Sequence, residues 1–244
     1  LHGLLQSEGV PDLHWPITGE TRESFTVHER ESGREYRFVL PGPELTQTEW
    51  RKGLDALRKL SPAPVWVVAS GSLPSGMAAD GHAQIADVAR EMGARMVVDS
   101  SGQALLAALA RGVWLVKPSL RELAELTGAA LSSTEAQRQA ARQLIERGQA
   151  QMVALSLGAE GAMLVTADQC LKAEALPVAV AGSVGAGDSF LAGLVWALDA
   201  QLELAQALAT AMAAGAAAVM TPGTALCQPQ HVARLRGQVR IQSC

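Results

Sequence analysis

Gly182-Ser183-Val184-Gly185-Ala186-Gly187-Asp188-Ser189-Phe190 sets three glycines and an alanine directly before a carboxylate. Small residues let the backbone approach a ligand and take up turns that a side chain would block. The apolar run Leu191–Leu198 that follows reads as a buried helix, which puts the glycines at its N-terminus. Free N–H groups and the positive end of the helix dipole there favour a phosphoryl group. Asp188 falls in the first turn, where a general base could take the proton of a hydroxyl. An anion hole formed by Gly185, Ala186 and Gly187 beside such a base is what phosphoryl transfer to an alcohol requires. A glycine-rich turn with a dipole-favoured Asp explains the segment alone equally well, so the rest of the chain has to decide.

Three further loops follow predicted strands. Ser70-Gly71-Ser72-Leu73-Pro74-Ser75-Gly76 could hold a sugar hydroxyl through Ser72, or simply cap the next helix. Lys117-Pro118-Ser119-Leu120-Arg121-Glu122 opens a helix. Glu122 could act on Mg²⁺ through water, although Ser119 with Glu122 three residues on also spells a capping box, and on these residues alone the cap is preferred. Ser156-Leu157-Gly158-Ala159-Glu160-Gly161 could carry a nucleotide along its backbone or be an ordinary turn. Each signal is weak alone. Four of them at strand ends in one chain are not, because open α/β sheets bind ligands beyond the carboxyl ends of their strands.

The elements that must position these residues are legible from residue 60 onward. Short β-branched runs at 65–69, 95–99, 113–116 and 152–156 alternate with helical stretches near 78–92, 101–110, 119–127 and 134–148. Continuous apolar strands separated by helices predict a parallel sheet covered on both faces, a doubly wound α/β domain. After Ser156 the pattern shifts to a short antiparallel meander, with strands at 161–165 and near 170–176. Helices at 188–199, 202–220 and 228–236 close the chain. Residues 23–30 and 34–40 alternate around Glu31-Ser32-Gly33, which predicts a β-hairpin with one covered and one wet face. The domain reading is an α/β body over 1–20 and 43–244, with a hairpin lid at 21–42.

Composition narrows the function. The 244 residues are 48% hydrophobic and 18% charged, the balance of a compact globular chain. A net charge of −4 and dispersed basic residues argue against nucleic acid or a membrane surface as partner. No stretch reaches about 18 consecutive strongly apolar residues. Cys170, Cys227 and Cys244 have no metal-ligand spacing and no even count for a disulfide framework, which suggests a reducing compartment, and the location expected is cytoplasmic. The histidines at 2, 14, 28, 82 and 231 show no i, i+4 pair, and none is read as a metal ligand or catalytic base. The five tryptophans are assigned to core or interface.

GSVGAGDSF, supported by SGSLPSG, VVDSSGQAL, VKPSLREL, ALSLGAEGA, YRFVLPG and TPGTALC, resembles the PfkB/ribokinase family of sugar kinases across essentially the whole chain. Within it the pattern is similar to the phosphofructokinase branch, with tagatose-6-phosphate kinases and 1-phosphofructokinases as near relatives. The resemblance implies a ribokinase-like three-layer α/β/α fold and ATP-dependent phosphorylation of a sugar phosphate, fructose 6-phosphate first. It implies Asp188 as base, Gly185, Ala186 and Gly187 as anion hole, and Lys117, Ser119, Ser156, Gly158, Gly161 and Ser183 around ATP. Glu122 would organise Mg²⁺, Arg22 and Ser72 would contact the sugar phosphate, and a K⁺ loop would run around Gly182, Val184 and Gly223. The hairpin would cover the sugar and pair with a second subunit in a homodimer.

Three departures accompany the resemblance. Ser119 stands where the family carries Asn after Lys-Pro, and Ala225 where near relatives carry Arg. The family's N-terminal strands, sugar-binding Asp and Gly-Gly sugar loop have no counterpart, so the chain is expected to be part of a longer product. A non-catalytic nucleotide-binding remnant is the rival reading from another class. An interaction module built on the hairpin is a third.

Overall fold

The computed structural model describes residues 2–32, 34–182, 184–223 and 227–244. Ser183 and Ala225, named above, lie outside the described residues, as does Gly33 of the hairpin turn. The chain opens with α1 (His2–Ser7), followed by the hairpin strands β1 (Ser24–His28) and β2 (Glu35–Val39) and helix α2 (Gln47–Arg58). The body then runs β3 (Trp66–Ser70), α3 (Gly81–Glu91), β4 (Arg95–Asp99), α4 (Gly102–Arg111), β5 (Val113–Val116), α5 (Leu120–Thr127), α6 (Thr134–Glu146) and β6 (Ala150–Ser156). It ends with β7 (Ala162–Val165), β8 (Cys170–Ala173), α7 (Ala186–Asp199), α8 (Leu204–Val219), α9 (Pro229–Arg236) and β9 (Ile241–Ser243).

Seven strands form one sheet in the order β3-β4-β5-β6-β7-β8-β9. The pairs from β3 to β6 are parallel and those from β6 to β9 antiparallel. Parallel strands need crossover connections, and α3 to α6 supply them. Alternate residues of each buried strand then face opposite layers. Val98, Val116 and Val153 pack with Leu105 and Leu109 of α4, Leu123 of α5 and Leu144 of α6. Val97, Leu115 and Met152 pack with Leu191 and Leu194 of α7 and Leu208 of α8. This is the three-layer α/β/α arrangement that the β-branched runs predict.

Helix α2 and strand β9 were not predicted. Helix α2 begins at a capping box in which the Thr46 hydroxyl accepts from the Glu49 N–H and Glu49 accepts from the Thr46 N–H. Strand β9 is three residues long and gains its place only by pairing with β8. That register also corrects the reading of the cysteines. Pairing of Leu171 with Ser243 brings Cys170 beside Cys244, and the two form a disulfide across 74 residues of sequence. Cys227 remains a free thiol.

The hairpin alternates as expected but does not cover its apolar face within the chain. Phe25 stacks on its cross-strand partner Phe38 at 5.1 Å, and Val27 pairs with Tyr36 on the same face. All four side chains are exposed, from 44% to 50%. The reason is geometric: the polar face, with Thr26, Glu35 and Arg37, is the one turned toward the body.

Candidate active site

The site is built where the parallel strands end. Gly185 caps α7 with φ of 80°, a left-handed conformation open to glycine without strain, and no side chain caps the helix. The first N–H groups of a helix have no intrahelical partners, and among the described residues no N-cap side chain serves those of α7, so this terminus is one that can receive an anion. Asp188, in the first turn of α7, is exposed, and its Oδ1 accepts a hydrogen bond from Ser70 Oγ at 3.3 Å. Ser70 ends β3, so the sheet edge and the helix start hold the carboxylate together.

Lys117 follows β5 and is buried, with its ammonium over the glycine turn. A methyl group placed on Gly187 would lie 3.6 Å from Lys117 Nζ. The same ammonium pairs with Asp99 Oδ2 at 2.9 Å. Burial pushes the Asp99 carboxyl up, and the Lys117 ammonium pulls it down without cancelling the effect. The charges of Asp188 and Glu122 add to the upward push. Asp99 thus holds the lysine while the Asp188 and Glu122 charges act on Asp99 from nearby, and the local excess of negative charge suits a divalent cation.

Two cavities meet at the turn. The larger, about 730 Å³, is lined by Lys117, Ser156, Gly158, Gly161 and Gly187 together with Leu176, Val178, Val180, Met212 and Val219. Its apolar walls and its polar end at the glycine turn fit a nucleotide base and its phosphates. Gly161 must be glycine here: its φ is 103°, and a side chain would strike the Ala173 carbonyl oxygen. The smaller cavity, about 310 Å³, is bordered on one side by the hairpin and lined by Thr26, Glu35, Arg37, Val184, Gly185, Gly187 and Asp188. Gly187 is common to both cavities.

The other expected residues divide into two groups. Arg22 donates to Ser72 Oγ at 3.5 Å, so the two residues expected on the sugar phosphate stand together. Ser119 and Glu122 form the capping box of α5, with the Ser119 N–H donating to Glu122 Oε2 at 2.8 Å. Neither lines the nucleotide cavity, and Glu122 faces a separate small cavity with Gly102 and Glu125. Gly182 is buried, and its N–H donates to the Val219 carbonyl at 3.2 Å. A methyl on it would lie 3.4 Å from both Glu35 Oε1 and the Thr221 carbonyl oxygen.

Sequence reasoning assigned no role to Asp99, although a carboxylate ending a buried strand is the signal that could have found it. It also missed Arg37, whose inward direction depends on how the hairpin docks. The apolar wall from 176–180 and α8 carries no motif.

The profile of the pfkB family carbohydrate kinases matches residues 1–231. This chain belongs to the pfkB family. It is 42% identical over 234 residues to the ATP-dependent 6-phosphofructokinase isozyme 2 of Mycobacterium tuberculosis, covering 96% of this chain and 69% of that protein. The Escherichia coli isozyme 2 is 37% identical, with coverage of 93% and 74%. The crystal structure of E. coli phosphofructokinase-2 in complex with potassium superposes with a TM-score of 0.91 at 35% identity, over 97% of this chain and 77% of that one. The family and the fold agree with the geometry: the chain is an ATP-dependent sugar-phosphate kinase with a ribokinase-like α/β/α architecture.

Proposed function

We propose that this kinase transfers the γ-phosphoryl group of ATP to the free primary hydroxyl of fructose 6-phosphate, giving fructose 1,6-bisphosphate and ADP. The observation that carries the reading is the position of Gly187 as the wall shared by a nucleotide-sized cavity and a smaller polar one that also contains Asp188. A phosphoryl group in the first and a hydroxyl in the second would meet at the N-terminus of α7.

In this reading Asp188 accepts the hydroxyl proton as the oxygen attacks phosphorus and the bond to ADP breaks. The N–H groups of 185–187 and Lys117 stabilise the charge that gathers on the equatorial oxygens. Ser156, Gly158 and Gly161 hold the nucleotide, with Ser183 near its phosphates. Arg22 and Ser72 bind the 6-phosphate, and Arg37 orients the sugar from the lid. Asp99 and Glu122 would hold Mg²⁺ through water, with Ser119 fixing Glu122 by the capping box. Bound Mg²⁺ supplies charge neutralisation on the β- and γ-phosphates. K⁺, the ion named for the E. coli structure, would sit by Gly182, Val184 and Gly223, where the Thr221 carbonyl oxygen lies 3.4 Å from a methyl placed on Gly182. The exposed Phe25, Val27, Tyr36 and Phe38 face supports a homodimer through the hairpin. A tetrameric inhibited form is described for the E. coli relative. A cytoplasmic location follows from where ATP and sugar phosphates occur, and among the described residues no helix is long and apolar enough to cross a membrane.

The substrate choice is tested by measuring kcat/KM with fructose 6-phosphate, tagatose 6-phosphate and fructose 1-phosphate. The highest value is expected with fructose 6-phosphate. A higher value with fructose 1-phosphate would assign the chain to the activity named for its 40% identical Xanthomonas campestris relative instead.

A further inference from the structure

Away from the active site, the structure brings together three side chains that are scattered in sequence. His2 Nδ1 lies 2.7 Å from Asp12 Oδ1, and His14 Nδ1 lies 2.9 Å from Asp12 Oδ2. The two imidazole rings stand 5.0 Å apart. One ligand atom from each of the three residues lies within 4.8 Å of the others. Both histidines are exposed, so an ion can reach them without any rearrangement of the body.

We propose that His2, Asp12 and His14 form a binding site for a transition-metal dication of the Zn²⁺ class, independent of the kinase site. Two imidazole nitrogens and one carboxylate make a donor set that suits Zn²⁺, Co²⁺, Ni²⁺ or Cu²⁺, whereas Mg²⁺ prefers oxygen ligands alone. In a tetrahedral zinc site, ligand atoms about 2.1 Å from the metal are about 3.4 Å apart. The Nδ1–oxygen contacts of 2.7 and 2.9 Å therefore have to open by less than about 1 Å to admit the ion. The ion replaces the protons shared between each Nδ1 and the carboxylate, and each ring keeps its other nitrogen for a proton. Three protein ligands leave the remaining position to water.

The location says what such a site would do. Helix α1 has six residues and buries none of them. Helices that short have little stability of their own in water. The segment after it is anchored: the Trp15 indole packs on Gly53 of α2, and Thr18 donates to Glu49 Oε1 through both its N–H and its hydroxyl. His2 is on α1, and Asp12 and His14 are on the anchored segment, beyond the turn at Gly9 with its φ of 69°. A metal shared by them is a clip that closes this loop and holds α1 against the body.

The test is calorimetric titration of the full chain with Zn²⁺ in the presence of Mg²⁺, with hydrogen exchange read at residues 3–8. One equivalent of Zn²⁺ should bind, and His2→Ala, His14→Ala and Asp12→Asn should each weaken it by at least about tenfold. Zinc should slow exchange across α1 in the wild type and not in the His2→Ala/His14→Ala variant. Matching circular dichroism of the metal-free proteins would establish that the exposed substitutions leave the fold intact. If a variant does not fold, zinc-induced shifts of the His2 and His14 ring nitrogens in the wild type give the same answer. An unchanged isotherm in the double variant would place the zinc elsewhere, for example at Cys227, and overturn the proposal. So would the absence of zinc binding by the wild type, or unshifted His2 and His14 rings.

Discussion

Lys117 Nζ lies 2.9 Å from Asp99 Oδ2, joining groups that follow or end two neighbouring parallel strands, β5 and β4. The pair sits at the base of the glycine turn, so one ammonium ties β4 to β5 beside the position proposed for the transferred phosphoryl group. Replacement of Lys117 by Met should leave Asp99 among carboxylates with no counter-ion. We expect a loss of about 3 kcal/mol in urea unfolding, the lower end of what breaking a buried pair costs, since Asp99 keeps some contact with water. Nucleotide affinity should fall in the same variant. Unchanged stability with weakened ATP binding would show that Lys117 serves the phosphates alone.

Asp188→Asn should lower turnover by about two to four orders of magnitude while nucleotide binding stays close to wild type. The carboxylate is exposed beside the anion turn and hydrogen-bonded only weakly by Ser70 at 3.3 Å, so its loss should disturb the fold little. Steady-state kinetics and nucleotide titration of the same preparation separate the two effects. Near wild-type turnover would remove Asp188 from the proton-transfer role.

Ser119→Ala should cost about 1 kcal/mol through loss of the α5 cap. Its effect on ATP affinity should be small, because Ser119 does not line the nucleotide cavity. Ser119→Asn keeps a capping side chain and should restore the stability. A tighter Kd for MgATP in the Asn variant would instead show that the position reaches the nucleotide.

Phe38→Glu should convert a hairpin-paired dimer to a monomer, because it puts a charge in the centre of the stacked Phe25–Phe38 face. Analytical ultracentrifugation of wild type and variant decides this. A wild-type monomer, or a variant that remains dimeric, would separate the hairpin from assembly.

Stability should also fall as the pH drops below about 6.5, the ordinary histidine value. His82 is buried at the start of α3, burial pushes its pKa down, and among the described residues its Nδ1 has no hydrogen-bond partner. The unfolded chain then binds a proton that the folded one resists, so stability is complete above the ordinary value and is lost as pH falls toward the depressed one. Urea midpoints across this range should slope in the wild type and flatten in His82→Leu. An equal slope in both would assign the loss to other groups.

Local chemistry was enough to find the parallel strands, their helices and the glycine turn that opens α7 with Asp188 in its first turn, since β-branched runs, caps and glycine conformations act over a few residues. It also found the capping box at Ser119 and Glu122, and here the structure retains the local role and keeps both residues out of the nucleotide cavity. The pairing of Lys117 with Asp99 needed the parallel register of β4 and β5. The joining of Cys170 to Cys244 needed a strand pair separated by most of the C-terminal third of the chain. Which hairpin face meets the anion turn, and hence the place of Arg37, depended on docking that no alternation pattern encodes. The histidines show the limit most directly: a search for helical spacing passes over positions 2, 12 and 14, because the turn at Gly9, rather than a shared helix face, brings them together. Spacing along the chain reports proximity only within one regular element, and every contact between elements is decided by packing.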